Sequence, residues 1–222
     1  MNNIPPHRPK LLTKVALIVA FTGGPLFVLV SDKLFGASPH IGIQVVLQLL
    51  YCGLAGFIVW VVVSREHLPL RSIGLRRPNW VTFVTGILLG LFCLLVLPLI
   101  TAPLVNLADD GGLQAGIQKL AALPIWFRLI VAVTGGIIEE TLYRGYAVER
   151  LAMITGRAWI GGAISMVIFG LAHIPTWGVG FSLAADLPFG VVMTLFYLWR
   201  RDLLANIIAH SGTLVVAMLT IV

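Results

Sequence analysis

The stretch from Ile41 to Val63 decides the class of fold, and it reads IGIQVVLQLLYCGLAGFIVWVVV. It contains no Asp, Glu, Lys or Arg. A bilayer core about 30 Å thick is crossed by an α-helix of about 20 predominantly apolar residues. The length and composition of this stretch therefore predict a membrane-spanning helix.

The composition of the whole chain agrees with that prediction. Of its 222 residues, 59% are hydrophobic and 11% are charged, whereas a soluble domain carries about 25% charged residues. The net charge of +6 is therefore interpreted as basic cytoplasmic loops, and a nucleic-acid partner is not expected. The two cysteines, Cys52 and Cys93, lie in apolar runs and offer no metal cluster.

Outward from this helix, the chain contains six further apolar runs. We predict an all-α fold, a polytopic transmembrane helical bundle of about seven spans: Leu11–Val30, Ile41–Val63, Trp80–Ile100, Pro124–Ala147, Trp159–His173, Phe181–Trp199 and Leu203–Val222. The alternative for the first run is a cleavable signal peptide. Lys14 interrupts that run, and no small-x-small cleavage site of the usual kind follows it.

The basic residues predict the orientation of the bundle, because cytoplasmic loops carry an excess of Lys and Arg. With a cytoplasmic N terminus, most of these residues fall on the inner side: Arg8, Lys10, Lys14, Arg65, Arg71, Arg76, Arg77, Arg144, Arg150, Arg157, Arg200 and Arg201. The outer loop Thr101–Gly116 holds Asp109 and Asp110 and no base. We therefore predict an N-in, C-out protein of the plasma membrane, with Gln114–Leu123 as an interfacial helix.

The chain divides by chemistry into two parts of one integral membrane unit. Residues 1–119 carry almost no ionisable groups inside their spans and are predicted to be anchor helices. Residues 120–222 carry several and are predicted to be a catalytic core. An ionisable side chain within a span costs at least about 2.5–3.5 kcal/mol and usually has a function.

The first such group lies in the fourth span, where residues 135–145 read GGIIEETLYRG. Glu140 and Arg144 are four residues apart, so they share a helix face and can pair. Glu139 points about 100° away from Glu140 and lacks such a partner, which suits a general base. A purely structural Glu140–Arg144 clamp is the alternative, but it leaves Glu139 unexplained.

Two histidines form the remaining groups. His173 ends the stretch Phe169–His173 and could equally be a capping or interface residue. His210 lies in the last span, with Asn206 and Thr213 at helical spacing on its face, which could also be a packed polar seam between helices. Together with Glu139, the two imidazoles could bind a divalent metal or polarise a water.

These motifs resemble a known family. Glu-Glu-x-x-x-Arg at 139–144, Phe-x-x-x-His at 169–173 and a histidine at 210 are similar to the three motifs of the CPBP intramembrane proteases. That family includes the type II CAAX prenyl endopeptidases and the bacteriocin-processing or immunity-type (Abi) proteins. The resemblance covers about residues 120–220 and implies an intramembrane endopeptidase that cleaves a peptide or membrane-protein substrate near the cytoplasmic face.

The resemblance also implies roles for the residues. Glu139 would activate the water, His173 would help to hold it, and His210 would stabilise the oxyanion or ligate a metal. The predicted catalytic set is Glu139, Glu140, His173 and His210, supported by Arg144, Asn206, Thr213 and Phe169. A divalent metal, zinc in the first place, would be held by Glu139, His173 and His210; a glutamate mechanism without a tightly held metal is equally allowed by the chemistry.

One position departs from the family pattern. The third motif usually reads His-x-x-x-Asn or His-x-x-x-Asp, whereas Leu214 follows His210 here. An Asn donor contributes about 3 kcal/mol to an oxyanion. Asn206 or Thr213 could replace it, or the protein is a catalytically inactive scaffold or immunity protein. A proton-coupled transporter that uses the same Glu and His groups is the third hypothesis.

Overall fold

All regular structure in the described part of the chain is helical. The computed structural model describes residues 10–36, 39–108 and 110–221, and no strand occurs in these ranges. The predicted all-α bundle is thereby confirmed. The predicted positions of Arg8, Asp109 and Val222 lie outside the described residues.

Eleven α-helices are found in the described residues, and short π or 3₁₀ segments connect some of them. The helices are α1 Leu11–Phe35, α2 Ile41–Trp60, α3 Trp80–Leu95, α4 Leu97–Leu107, α5 Gly112–Ala121, α6 Ile125–Glu139, α7 Glu149–Thr155, α8 Ala158–Ala172, α9 Ile174–Phe181, α10 Leu187–Arg200 and α11 Leu203–Thr220. The π segments are Val61–Arg65, Glu140–Val148 and Ser182–Asp186, and the 3₁₀ turn is Leu70–Ile73.

Five continuous helical stretches are long and apolar enough to cross a membrane. They are Leu11–Phe35, Ile41–Arg65, Trp80–Leu107, Ile174–Arg200 and Leu203–Thr220, and α8 is a shorter apolar helix. Large apolar side chains such as Leu49, Leu99 and Leu195 are at least 60% exposed, as expected for a surface that faces lipid. The chain is thus an integral, multi-pass membrane protein; the count of seven spans and the N-in orientation stay predictions.

The predicted fourth span is longer than expected. Helix α6 continues through the π segment Glu140–Val148 into α7, so the helical stretch runs from Ile125 to Thr155 and not only to Ala147. Its charged groups face protein, since Glu140 and Arg144 are fully buried. This burial explains how a helix with charged side chains can lie within an apolar bundle.

The predicted sixth span also begins earlier than expected, at Ile174 and not at Phe181. Pro175 occupies the first turn of α9, where the missing backbone N–H is not needed. Gly178 has φ 79° and ψ 170° inside this stretch, a conformation that glycine adopts without a steric penalty. The helix is therefore kinked before the π segment Ser182–Asp186.

Helix α11 is enclosed by α3 and α6, and small residues permit the close approach. A Cβ atom on Gly86 of α3 would lie 2.8 Å from the backbone oxygen of Ala205, and one on Gly136 of α6 would lie 2.8 Å from the backbone nitrogen of Ser211. Helix α3 of the N-terminal part thus supports the part of α11 that carries His210. The division at residue 119 stays a prediction.

Candidate active site

The fully buried carboxylate of Glu140 is the centre of a polar network that joins the Ile125–Thr155 stretch to α11. Its Oε1 atom accepts a hydrogen bond from Nη1 of Arg144 at 2.9 Å and from Nδ1 of His210 at 2.8 Å. Its Oε2 atom accepts one from Nδ2 of Asn206 at 3.2 Å. The predicted Glu140–Arg144 pair is therefore present, and it also holds α11 in place.

Arg144 extends this network to α8 and α10. Its guanidinium carbon lies 4.1 Å from the centroid of the Phe169 ring, which is a cation–π distance. Its Nη2 atom donates to the backbone oxygen of Gly190 at 3.3 Å. The phenylalanine of the Phe-x-x-x-His motif thus packs against the guanidinium group, and its supporting role stays a prediction.

Asn206 and Thr213 use their hydrogens within the bundle. The Asn206 amide donates to Glu140 and, at 2.9 Å, to the backbone oxygen of Met193. The Thr213 hydroxyl donates to the backbone oxygen of Ala209 at 2.8 Å. Neither side chain therefore presents a free donor in this arrangement, and Asn206 positions Glu140. Leu214, at the position of the missing amide, lies over Gly135.

Glu139 faces the two histidines instead of Arg144. Its Oε2 atom lies 3.4 Å from Nε2 of His173 and 3.8 Å from Nε2 of His210. This oxygen is buried and has no hydrogen-bond partner among the described residues. The structure thus brings together the carboxylate and both imidazoles that the sequence predicted as one site.

Contacts on the far side of each ring orient the histidines. Nδ1 of His173 lies 2.7 Å from the backbone oxygen of Phe169, and a carbonyl oxygen can only accept, so Nδ1 carries the hydrogen. Nδ1 of His210 is held by the carboxylate of Glu140 in the same way. Both Nε2 atoms are therefore turned toward Glu139.

The donor set is of the kind that zinc prefers, because two imidazoles with engaged Nδ1 atoms and one carboxylate meet. Across residues 10–36, 39–108 and 110–221, however, no group of three His, Cys, Asp or Glu side chains has an arrangement that could hold a metal ion. The three side chains would have to move to ligate one.

Asp186 is a site residue that the sequence analysis missed. It ends the π segment Ser182–Asp186 and lies near enough to His173 and Glu139 for their charges to interact. The signal was available, since Asp186 is an ionisable residue within the predicted span Phe181–Trp199. The rule that singled out Glu139 also applies to it.

A second buried network, also missed, lies at the other end of the Ile125–Thr155 stretch. Glu66 accepts hydrogen bonds from Thr13 and Tyr146, both at 2.9 Å, and pairs with Arg150 at 2.7 Å. It therefore ties α1 and the end of the second span to the catalytic half. Glu149 similarly pairs with Arg201.

Comparison with known families agrees with this geometry. Residues 121–216 match a family model described as type II CAAX prenyl endopeptidase Rce1-like. This stretch is similar to an Rce1-like domain. It contains Glu139, His173 and His210, and it confirms the family predicted from the three motifs. At family level it indicates a CAAX-type intramembrane hydrolase acting on peptide substrates in the bilayer. No curated protein and no solved structure matches the chain.

Proposed function

We propose that this protein is an endopeptidase that hydrolyses a peptide bond with a water held between Glu139 and His173. The observation that carries the proposal is the position of the Oε2 atom of Glu139. This atom has no hydrogen-bond partner among the described residues and faces the Nε2 atoms of His173 and His210. A buried carboxylate oxygen without a hydrogen-bond partner is costly. A water or a substrate group that bonds to this oxygen offsets that cost.

Glu139 acts as the general base. It takes one proton from the water while the oxygen attacks the carbonyl carbon of the scissile bond, and His173 accepts the second water hydrogen at Nε2. The tetrahedral oxyanion then collapses, and the C–N bond breaks as the proton on Glu139 passes to the departing nitrogen. The second water proton, left on the new carboxyl group, passes through His173 to the amine. The products are a carboxylate and an ammonium group.

In this proposal His210 stabilises the oxyanion. Its Nδ1–H is directed to Glu140, so a protonated ring presents its other N–H, at Nε2, to the reacting carbonyl oxygen. Glu140, Arg144 and Asn206 are positioning residues in this scheme, since they touch His210 or each other and not the reacting atoms. The predicted catalytic role of Glu140 is thereby proposed to be indirect.

The metal-assisted form of the reaction stays a separate prediction. Glu139, His173 and His210 would be its ligands, and zinc would supply a Lewis acid. Elemental analysis of the purified protein, with activity measured before and after chelation by 1,10-phenanthroline, separates the two forms. Stoichiometric zinc and loss of activity on chelation support the metal form; activity without bound metal supports the glutamate form.

A catalytically silent scaffold is the second candidate function, and Leu214 favours it. The usual amide donor is absent at this position, and Asn206 and Thr213 use their hydrogens elsewhere. An oxyanion with fewer donors forms more slowly. A scaffold would keep its cellular phenotype when Glu139 is replaced by Gln.

The reaction site is proposed to open toward the cytoplasmic face of the plasma membrane. Arg76 and Arg77, in the loop before α3, and Arg201, at the end of α10, are exposed and line one cavity, as the positive-inside rule requires of a cytoplasmic surface. A cysteine introduced at exposed Pro78 tests this orientation. Labelling by an impermeant maleimide in inside-out but not right-side-out vesicles supports it.

Proteomics of peptide termini tests the function in cells. Wild-type and Glu139→Gln proteins are produced at equal levels, and new protein C termini are compared. C termini present only with wild type support the peptidase and name its substrates. Identical termini in both samples would contradict it. Asp32→Asn is the matched control, because Asp32 is a partly exposed carboxylate whose ion pair is with Lys119 and not with a residue of the site.

A further inference from the structure

Asp186 lies on the same side of its helical stretch as two groups that touch the site. Phe189, three residues later, has its ring centroid 4.8 Å from that of His210. Gly190, four residues later, accepts the hydrogen bond from Arg144. Residues three and four apart share a helix face. Asp186 therefore belongs to the face that borders the site and lies one turn before Phe189.

The carboxylate of Asp186 is incompletely satisfied. Its Oδ2 atom is buried and has no hydrogen-bond partner among the described residues. No Lys, Arg or His nitrogen of the described residues lies within ion-pair distance of the Asp186 carboxylate. A purely structural carboxylate at this depth would be expected to have such a partner.

Ser182 adds a second group of the same kind. It begins the π segment that Asp186 ends, it is fully buried, and its hydroxyl has no hydrogen-bond partner among the described residues. Short π segments inside α-helices are frequent at functional sites. Here the segment places a hydroxyl and a carboxylate close to each other, beside the base and its histidine.

We propose that Asp186, assisted by Ser182, is the subsite for the leaving amine of the peptide substrate. The inference rests on the proposed function and goes beyond it. The carboxylate accepts a hydrogen bond from the N–H of the scissile amide, and after cleavage it binds the new α-ammonium group. Glu139 and the two histidines then serve the carbonyl side of the bond, and the π segment serves the nitrogen side.

The subsite has a chemical consequence that other arrangements lack. A peptide product whose N terminus is a free amine binds more tightly than the same peptide without the amine, since a charge-assisted hydrogen bond is stronger than a neutral one. The product competes with the substrate for the same carboxylate. Release of the amine product is therefore slowed by Asp186.

Equilibrium binding of three small probes to the full-length protein in nanodiscs tests the proposal. The probes are the tripeptide Val-Leu-Ser, its N-acetylated form, and the des-amino form with 3-methylbutanoyl in place of Val. At about pH 6.5 the α-amine is mostly protonated. We expect wild type to bind the free tripeptide about tenfold more tightly than the des-amino form, which corresponds to one charge-assisted hydrogen bond.

Two variants test whether the preference for the free amine depends on Asp186 and Ser182. Asp186→Asn should reduce it to about twofold or less, whereas Asp32→Asn should keep it. Ser182→Ala, a smaller change, should reduce it partially and serves if Asp186→Asn does not fold. An equal affinity of wild type for the amine and des-amino probes would overturn the subsite, and so would a full preference that persists in folded Asp186→Asn protein.

The outcome is separable from the test of peptidase activity. A wild-type protein that cleaves peptides but shows no amine preference retains the proposed function and loses the subsite. A protein that shows the preference, with its loss in Asp186→Asn, but cleaves nothing retains an amine-binding site and loses the peptidase. The N-acetylated tripeptide serves as a control for the charge, because its α-nitrogen keeps an N–H but is no longer positively charged.

Discussion

Nδ1 of His210 lies 2.8 Å from Oε1 of Glu140, while Nε2 of the same ring lies 3.8 Å from Oε2 of Glu139. One imidazole therefore bridges two glutamates that are adjacent in sequence. The carboxylate of Glu140 is already bound to Arg144 and Asn206, whereas Oε2 of Glu139 has no hydrogen-bond partner among the described residues. The proposed roles of the two glutamates differ accordingly, one structural and one chemical.

The first prediction concerns Glu140. Glu140→Gln removes the charge that Arg144 and His210 bind in a fully buried position. Breaking a buried ion pair by removing one partner destabilises by about 3–5 kcal/mol, so the thermal unfolding temperature in detergent should fall by several degrees. Among the described residues, Glu139 makes no hydrogen bond of this network, so Glu139→Gln should unfold within about a degree or two of wild type. Equal unfolding temperatures of the two variants would contradict the division of roles.

A second prediction concerns the missing amide at position 214. Leu214→Asn places a donor one turn beyond His210 on the same helix face. If the reaction passes through an oxyanion near His210, kcat should rise about tenfold or more, since one such donor contributes about 10²-fold or more. Leu214→Ala is the control for lost volume and should not raise kcat. A rise in both variants would show that space, and not the donor, limits the reaction.

The loop before α5 supplies a pH prediction. Asp110 accepts backbone hydrogen bonds from Gly180 at 2.9 Å and Gly112 at 3.0 Å, and these bonds lower the pKa of its carboxyl group. Because the pKa is lower in the folded protein, the stabilisation is present above the unfolded value of about 3.9 and is lost as the pH falls through the folded value.

This contact joins the loop to α9, which follows His173 directly. Hydrogen exchange of the Gly180 amide, corrected for its intrinsic pH dependence, should stay slow from about pH 8 to pH 5 and become faster only below about pH 4. Asp110→Ala should exchange fast over the whole range. Protection that is lost between pH 7 and pH 5 in wild type would show that another group controls this contact.

The fourth prediction concerns the joint between the two halves of the chain. Glu66→Gln weakens the buried pair with Arg150 and the hydrogen bonds from Thr13 and Tyr146. We expect a loss of about 3 kcal/mol or more in unfolding free energy and a lower yield of folded protein. Thr13→Val removes one hydrogen bond only and should cost about 1 kcal/mol. A Glu66→Gln protein as stable as wild type would mean that the two halves fold independently.

Much of the bundle could be predicted because lipid imposes simple rules. Apolar runs such as Ile41–Val63 must be helical in a bilayer, since no other open structure satisfies the backbone there. The limits of the fourth and sixth spans could not be predicted in this way. Buried charges lower the hydropathy of Ile125–Thr155, and the Gly178 kink and Pro175 resemble a loop in the sequence although the helix continues.

The site was predictable where the spacing within one helix determines a contact, as for Glu140 and Arg144. Contacts between helices required the fold: Asn206 binds Glu140 and Met193, and not a substrate oxygen. Asp186 was missed although it lies within an apolar span, because no second charged residue at helical spacing marked it. Its neighbours are supplied by other helices, and a single sequence does not show which helices pack together.

Cleavage by purified protein in nanodiscs, compared between wild type and Glu139→Gln, tests the central claim most directly. The substrates are a prenylated CAAX-type peptide and its unprenylated form, and new amines are detected by mass spectrometry. The account predicts cleavage of at least one peptide by wild type and a fall in rate of about 10²–10⁴-fold in a folded Glu139→Gln protein, with Asp32→Asn unchanged. Cleavage at the wild-type rate by Glu139→Gln would contradict it.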